Sequence, residues 1–195
     1  VADFVTVHRQ PAVLLCAELP SLHVQPPTLE TGQIVAHALF SDAAAAAVVA
    51  PEGAGYEVVQ AASLTDVATA DHMTWDVTDL GFRMGLSPRV PDVLGGAVTK
   101  FMDDLLTSVG WRRDGVDGWA VHPGGPQILN VVGRELALED PALAGSWAVL
   151  AEHGNCSSPT VLLILDRLRR SRPNRVVMMA VGPGLTLYAA LLAAR

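Results

Sequence analysis

The chain of 195 residues is poor in basic charge, in cysteine and in aromatic rings, and each shortage removes a class of protein. Thirteen lysines and arginines face twenty aspartates and glutamates, a formal net charge of −7. A nucleic-acid-binding surface needs a basic footprint, and none is present. The one basic cluster, Arg167, Arg169, Arg170, Arg172 and Arg175, falls around the end of an expected helix, where arginines complement the helix dipole. Two cysteines, Cys16 and Cys156, make no disulfide framework, and a cytosolic (cytoplasmic) setting is expected. Cys16 ends an apolar run and is expected as a buried structural thiol. The histidines at positions 8, 23, 37, 72, 122 and 153 lack close spacing to acids or cysteines, so no metal site is expected. A phosphate-cradling glycine loop is missing as well, because Gly182-Pro183-Gly184 joins two apparent strands instead of a strand and a helix. No hydrophobic run is long enough to imply a membrane span. Ala43–Ala50 is too short, and Val176–Ala194 is broken by that Gly-Pro-Gly turn. Val1–Val7 has neither the charged start nor the apolar stretch of a secretory signal.

What is present is core-forming sequence: 50% of residues are apolar and only 17% are charged, which excludes a disordered chain. The length suits one large domain or two small ones. Residues 1–9 read as the tail of a helix, and Ala12–Ala17 as a buried strand after Pro11. Ser21–Thr31, with Pro26 and Pro27, reads as irregular, and Ile34–Phe40 as a short apolar segment. Ala43–Ala50 reads as a second buried strand, Pro51–Gly55 as a turn, and Tyr56–Leu64 as a strand with an exposed face. Thr65–Pro91 shows no sustained period. From Pro91 to Val109, Leu94, Val98, Phe101, Met102, Leu105 and Leu106 recur at helical spacing. Gly118–Val121 is a strand, and Pro126 opens a helix carrying Ile128, Leu129, Val132 and Leu136. Leu143–Glu152 is a short helix closed by His153-Gly154. Pro159–Arg170 is a helix with Ser158 as candidate N-cap, apolar round most of its circumference and so expected between layers. Arg175–Val181 and Leu185–Leu192 are strands. Helices mixed with continuously apolar strands point to a layered α/β fold with sheets covered on both faces.

Two loops carry the candidate chemistry. Trp119-Ala120-Val121 is a strand that ends on His122 and opens into Pro123-Gly124-Gly125-Pro126. The second loop is Gly154-Asn155-Cys156-Ser157-Ser158. A histidine at the C-terminal end of a strand stands where binding loops gather in layered sheets. It equally suits a histidine that closes a turn. Gly124 and Gly125 permit close backbone approach to a ligand or a plain tight turn. Asn155 is an uncharged donor, suited to an oxyanion or to a pre-helix turn. Together, His122 and Asn155 make a donor pair that could polarise a thioester carbonyl or stabilise an enolate. Cys156 reads as a filler side chain and not as their nucleophile. Phe40 and Phe82, two of only four phenylalanines, read as core by default.

His122-Pro-Gly-Gly-Pro126, Gly154-Asn-Cys-Ser-Ser158 and Gly182-Pro-Gly-Leu185 stand in the order and spacing of the type III polyketide synthases, the chalcone synthase-like family, and the chain resembles that family throughout. Ala38-Leu-Phe-Ser-Asp42 before an alanine-rich strand is similar to the family's Ala-Leu-Phe-Gly-Asp-Gly segment, with Ser41 and Ala43 in place of glycines. Gly81-Phe82 followed by Leu86-Ser-Pro88 and Val90-Pro91 resembles the bacterial branch, especially 1,3,6,8-tetrahydroxynaphthalene synthases. The resemblance implies His122 and Asn155 as catalytic residues, and Phe40 and Phe82 as gatekeepers between a CoA tunnel and the polyketide cavity. It places His23 and Ser157 on the cavity lining, Gly182, Pro183 and Gly184 on a loop shaping its wall, and Gly124, Gly125 and Gln127 on the CoA arm.

The implied fold is thiolase-like, an α/β/α/β/α layering of two related halves. Residues 1–52 would be the end of the N-terminal half and residues 53–195 the C-terminal half. The implied activity is iterative decarboxylative condensation of malonyl-CoA on a cysteine-bound acyl chain, followed by cyclisation. It uses CoA thioesters as substrates, another acyl-CoA as a possible starter, no cofactor, and a homodimer when complete. The family nucleophile aligns upstream of Val1, so the chain is expected to be the C-terminal part of a synthase, inactive alone and exposing apolar surface meant for the missing half. The alternatives are an initiating ketoacyl-carrier-protein synthase, whose histidine motif normally reads His-Gln-Ala-Asn, and a noncatalytic fragment or partner subunit.

Overall fold

The computed structural model describes residues 1–195. In chain order, helix α1 (Ala2–His8) precedes strand β1 (Ala12–Glu18), a single 3-10 turn (Pro20–His23), helix α2 (Thr31–Leu39) and strand β2 (Ala43–Val49). Strands β3 (Tyr56–Thr65), β4 (Met73–Thr78) and β5 (Gly81–Leu86) lead to the long helix α3 (Val90–Ser108). Strand β6 (Gly118–Val121), helices α4 (Pro126–Glu135), α5 (Ala144–His153) and α6 (Ser158–Leu168), and strands β7 (Arg175–Gly182) and β8 (Thr186–Ala194) complete the chain.

The organising element is a four-stranded sheet ordered β3-β8-β7-β6, in which only β6 and β7 run parallel. Side chains alternate across a strand, and here the alternation sorts two cores. Trp119, Val121, Val177, Met179, Leu187 and Leu191 join Leu94, Met102 and Leu106 of α3 and Leu129 and Val132 of α4 on one face. Ala120 packs on the other face with Val149 of α5 and Ile164 of α6, with Met178 against them. Each large aliphatic side chain buried this way contributes about 2 kcal/mol of transfer free energy. Pro91 and Pro126 sit in the first turns of α3 and α4, where a missing N–H costs nothing.

Helix α6 touches β6 and β7 on one side and the antiparallel β1–β2 ribbon on the other. It therefore lies between two sheets, as its circumferential apolarity predicts, with Ile164 wholly buried. The layers run α3 and α4, four-stranded sheet, α5 and α6, β1–β2.

Several expectations are corrected. The strands at Ala12 and Ala43 exist but are not buried: Leu14, Cys16, Ala45 and Ala47 share one face, whereas Val13, Leu15 and Val48 are 62%, 69% and 73% exposed on the other. Cys16 is only half-buried. The four-stranded sheet is not covered everywhere, since Val58, Leu64 and Tyr188 are exposed at its β3 side. Ile34–Leu39 belongs to a helix that starts at Thr31, with Phe40 extended just beyond its end, and the unreadable stretch Thr65–Pro91 contains the β4–β5 hairpin. Ser158 is the first residue of α6 and not its cap. Its hydroxyl donates to Glu18 Oε1 at 2.5 Å, while Thr160 Oγ1 takes the Cys156 N–H at 2.9 Å.

Candidate functional site

Three loops meet at the C-terminal end of α2. Phe40 bridges Asn155 in parallel: the Asn155 N–H donates to Leu39 O at 2.7 Å, and the Ser41 N–H donates to Asn155 O at 3.0 Å. Ser41 Oγ, in place of the family glycine, donates to the His153 carbonyl and lies 3.2 Å from Cys156 Sγ, adding a side-chain tie. Gly154 makes the approach possible. Its φ of 72° lies on the left-handed side, and a Cβ there would stand 2.7 Å from Leu39 O. The His122 loop arrives from the strand end of β6. The His122 N–H donates to Met179 O at 2.7 Å, and a Cβ on Gly125 would lie 3.3 Å from Leu39 Cδ1.

Asn155 is 3% exposed, and its carboxamide is oriented by the protein. Oδ1 accepts the Ser157 N–H at 2.8 Å, so the NH2 group must occupy the other position, where it donates to Gly124 O at a long 3.4 Å. That contact joins the asparagine loop to the histidine loop and leaves donor capacity on the amide. Ser157, at φ 55° and ψ −129°, holds the N–H that fixes Oδ1. A non-glycine residue with positive φ is uncommon and costs energy that the loop contacts must offset. His122 is held through its main chain and makes no side-chain hydrogen bond to the protein. Burial pushes its imidazole down to about 4, so the ring is neutral at neutral pH. A neutral imidazole can still donate one N–H.

Beside this junction lies a cavity of about 800 Å³ bounded by β1, the Pro20–His23 turn, α2 and the β4–β5 hairpin. Phe40, Phe82, His23 and Ser157, assigned from distant parts of the sequence, all line it. Trp75 stands between the two phenylalanines, its ring centroid 6.5 Å from Phe40 and 6.3 Å from Phe82, and His23 packs edge-on to Phe82 at 5.0 Å. The result is one row of four rings. Phe82 is 46% exposed, at an opening and not inside a core. Trp75, Met84 and His37 also line the cavity and went unassigned from sequence. The pairing of β4 with β5, Trp75 opposite Met84, puts Trp75 there. His122, Asn155, Gly124, Gly125 and Gln127 are not on the wall of this cavity. They lie at the adjoining junction, with Gln127 exposed at the start of α4. Gly182, Pro183 and Gly184 do not line it either; they close the β7–β8 hairpin. No group of three or more His, Cys, Asp or Glu is placed to hold a metal ion, and no helix is long and apolar enough to cross a membrane.

The junction thus sets a buried, oriented asparagine beside the histidine loop, next to an aromatic cavity. Residues 57–194 match the family described as "Chalcone and stilbene synthases, C-terminal domain". The chain belongs to that family, the type III polyketide synthases, in the bacterial branch close to the tetrahydroxynaphthalene synthases. It is 38% identical over 191 residues to the 1,3,6,8-tetrahydroxynaphthalene synthase of Streptomyces peucetius subsp. caesius, covering 93% of this chain and 50% of that protein. It is 34% identical over 190 residues to the 3,5-dihydroxyphenylacetyl-CoA synthase of Amycolatopsis orientalis, covering 92% of this chain and 51% of that protein. The crystal structure of 1,3,6,8-tetrahydroxynaphthalene synthase from Streptomyces coelicolor A3(2) superposes with a TM-score of 0.92 at 32% identity, over 99% of this chain and 57% of that one. PKS-I from the brown alga Ectocarpus siliculosus superposes with a TM-score of 0.93 at 28% identity, over 99% and 55%. The layered order described above is the thiolase-like fold these proteins share. The chain spans about half the length of the curated relatives it matches.

Proposed function

We propose that the protein of which this chain is a part is a type III polyketide synthase, which condenses malonyl-CoA iteratively onto an enzyme-bound acyl chain and releases a cyclised aromatic or pyrone product. The observation that carries the reading is the oriented Asn155 carboxamide, its oxygen taken by Ser157 and its NH2 directed at the His122 loop, next to a row of aromatic rings. Residues 1–52 belong to the end of the first thiolase-like half and 53–195 to the second, and the assembled protein is a homodimer that uses CoA thioesters and no further cofactor.

In this mechanism a cysteine thiolate from outside these residues first takes the acyl group from its CoA ester. His122 and Asn155 then donate hydrogen bonds to the thioester oxygen of malonyl-CoA. The bond between the α-carbon and the carboxylate breaks, carbon dioxide leaves, and the electron pair is held as an enolate on that oxygen. The α-carbon attacks the acyl thioester, and the thiolate departs. Preorganised donors contribute because they are already aimed where charge develops, and one such donor is worth roughly 3 kcal/mol of transition-state stabilisation. Phe40 and Phe82 act as gatekeepers between the CoA side and the cavity. His23 and Ser157 line the cavity, and Gly124, Gly125 and Gln127 hold the CoA arm, whereas Gly182, Pro183 and Gly184, which close the β7–β8 hairpin, are given no part in the cavity wall. The test is a steady-state assay of malonyl-CoA consumption and product formation by the whole protein. Turnover with polyketide products supports the reading, and CoA thioesters left unconsumed overturn it.

A further inference from the structure

Ser21, His23 and Val24 of the cavity lining belong to a strap, Ser21–Gln25, that crosses from β1 towards the hairpin and is tied at three points. Ser21 donates through its N–H and its hydroxyl to the Asp42 carboxylate at 2.9 and 2.5 Å. His23 Nδ1 accepts the Phe82 N–H at 3.3 Å, and a side chain on Gly81 would collide with that nitrogen at 2.7 Å. Gln25 is held twice: its N–H donates to His37 Nε2 on α2 at 3.2 Å, and its side-chain amide nitrogen faces the carbonyls of His23, Phe82 and Leu80 at 3.2, 3.3 and 3.5 Å.

A backbone N–H can only donate, so both imidazoles accept through one ring nitrogen and carry their proton on the other. His37 is thereby the acceptor that holds Gln25, and Gln25 in turn grips the carbonyl of the residue whose ring faces Trp75. The path is continuous: His37, Gln25, Phe82, Trp75. His37 itself stands on the surface of α2 and packs into no core, so its hydrogen bond to Gln25 is the structural tie it supplies.

We propose that His37 is a positioning residue for the aromatic wall: it anchors Gln25, and through Gln25 it fixes where Phe82 and Trp75 stand and hence the length of chain the cavity accepts. The last clause rests on the polyketide reading, whereas the positioning does not. The test uses the whole protein labelled with 5-fluorotryptophan, the Trp75 resonance being assigned by its loss in Trp75→Phe. His37→Leu removes the acceptor; His37→Gln replaces it with a carboxamide oxygen of similar reach. Gln25→Leu breaks the next link. The expected result is a shifted and broadened Trp75 signal in His37→Leu and Gln25→Leu, a Trp75 signal at the wild-type position in His37→Gln, and unmoved Trp111, Trp119 and Trp147 signals in all three. In the condensation assay the ratio of longer to shorter products changes roughly fivefold to tenfold in His37→Leu and returns in His37→Gln, with KM moving more than kcat, the scale of one lost hydrogen bond. A Trp75 resonance unchanged in both leucine variants overturns the proposal, as does a glutamine variant that behaves like leucine. Absence of polyketide turnover in the wild type would refute the functional reading alone, because the resonance judges the positioning independently.

Discussion

Replacing Gly154 by alanine tests the packing that delivers Asn155 to the site. Gly154 ends α5 at φ 72° and ψ −159°, a region that is essentially restricted to glycine and costs a side-chain-bearing residue about 1–3 kcal/mol. The added methyl would also sit 2.7 Å from Leu39 O and 3.3 Å from Ser41 Oγ. Neither neighbour is a free chain end, because Leu39 O accepts the Asn155 N–H at 2.7 Å and Ser41 Oγ donates to the His153 carbonyl. Making room therefore sacrifices at least one buried hydrogen bond, about 1 kcal/mol more. The expected loss is roughly 3 kcal/mol in all, read as a lowered midpoint in urea with the slope unchanged. Gly96 is the control of opposite sign. It lies in α3, where an added methyl would meet nothing within 4 Å, so Gly96→Ala should stabilise by up to about 1 kcal/mol through helix propensity. A Gly154→Ala protein that unfolds at the wild-type midpoint refutes the reasoning.

The His122 imidazole, held down to about 4 from an ordinary 6.5, gives a pH signature with a defined sign. Below 6.5 the unfolded chain takes up a proton that the folded chain refuses until about 4, so stability falls as pH drops through that window, by at most about 3 kcal/mol and less to the extent that water reaches the ring. Urea titrations at pH 7 and pH 4.5 should show a smaller difference for His122→Asn than for the wild type, and equal differences would contradict the burial. The 195-residue chain alone should show no malonyl-CoA condensation and no acyl adduct on Cys16 or Cys156 by intact mass, since Cys156 is buried and its thiol faces Ser41 Oγ and the His153 carbonyl. Turnover with an adduct on either cysteine overturns that assignment.

How much was legible in the sequence depended on what each segment packs against. Helix α3 could be read from Leu94, Val98, Met102 and Leu105 because it packs on a core, and a core enforces a period. Strands β6, β7 and β8 were legible as apolar runs because both of their faces are covered over most of their length. The β4–β5 hairpin was missed although its signal is present: Met73, Trp75 and Val77 alternate with Thr74, Asp76 and Thr78, and Phe82, Met84 and Leu86 alternate with Gly81, Arg83 and Gly85, but each run is short and stands in a long stretch without a period. Apolar composition in β1 and β2 revealed strands but misled about burial: it reports that a face tends to be covered, not where its cover lies. Among the site residues, His122 and Asn155 stood out by local context. Phe40, Phe82, His23 and Ser157 were accessible only through the family resemblance, because what unites them is the folding of α2 and the hairpin around one cavity. Trp75 and His37 carry no motif at all. Their place follows from the β4–β5 register and from a hydrogen bond to Gln25, neither of which is written locally.

The central claim is that Asn155 is an oriented donor for the enolate formed from malonyl-CoA. The most direct measurement is release of labelled carbon dioxide from malonyl-CoA by the whole protein, wild type against Asn155→Ala, with acylation of the enzyme followed separately by mass spectrometry. Loss of one preorganised donor worth roughly 3 kcal/mol predicts decarboxylation slowed about 100-fold while acyl transfer to the enzyme persists. Carbon dioxide release within twofold of the wild type in a folded, acylated Asn155→Ala protein would contradict the account.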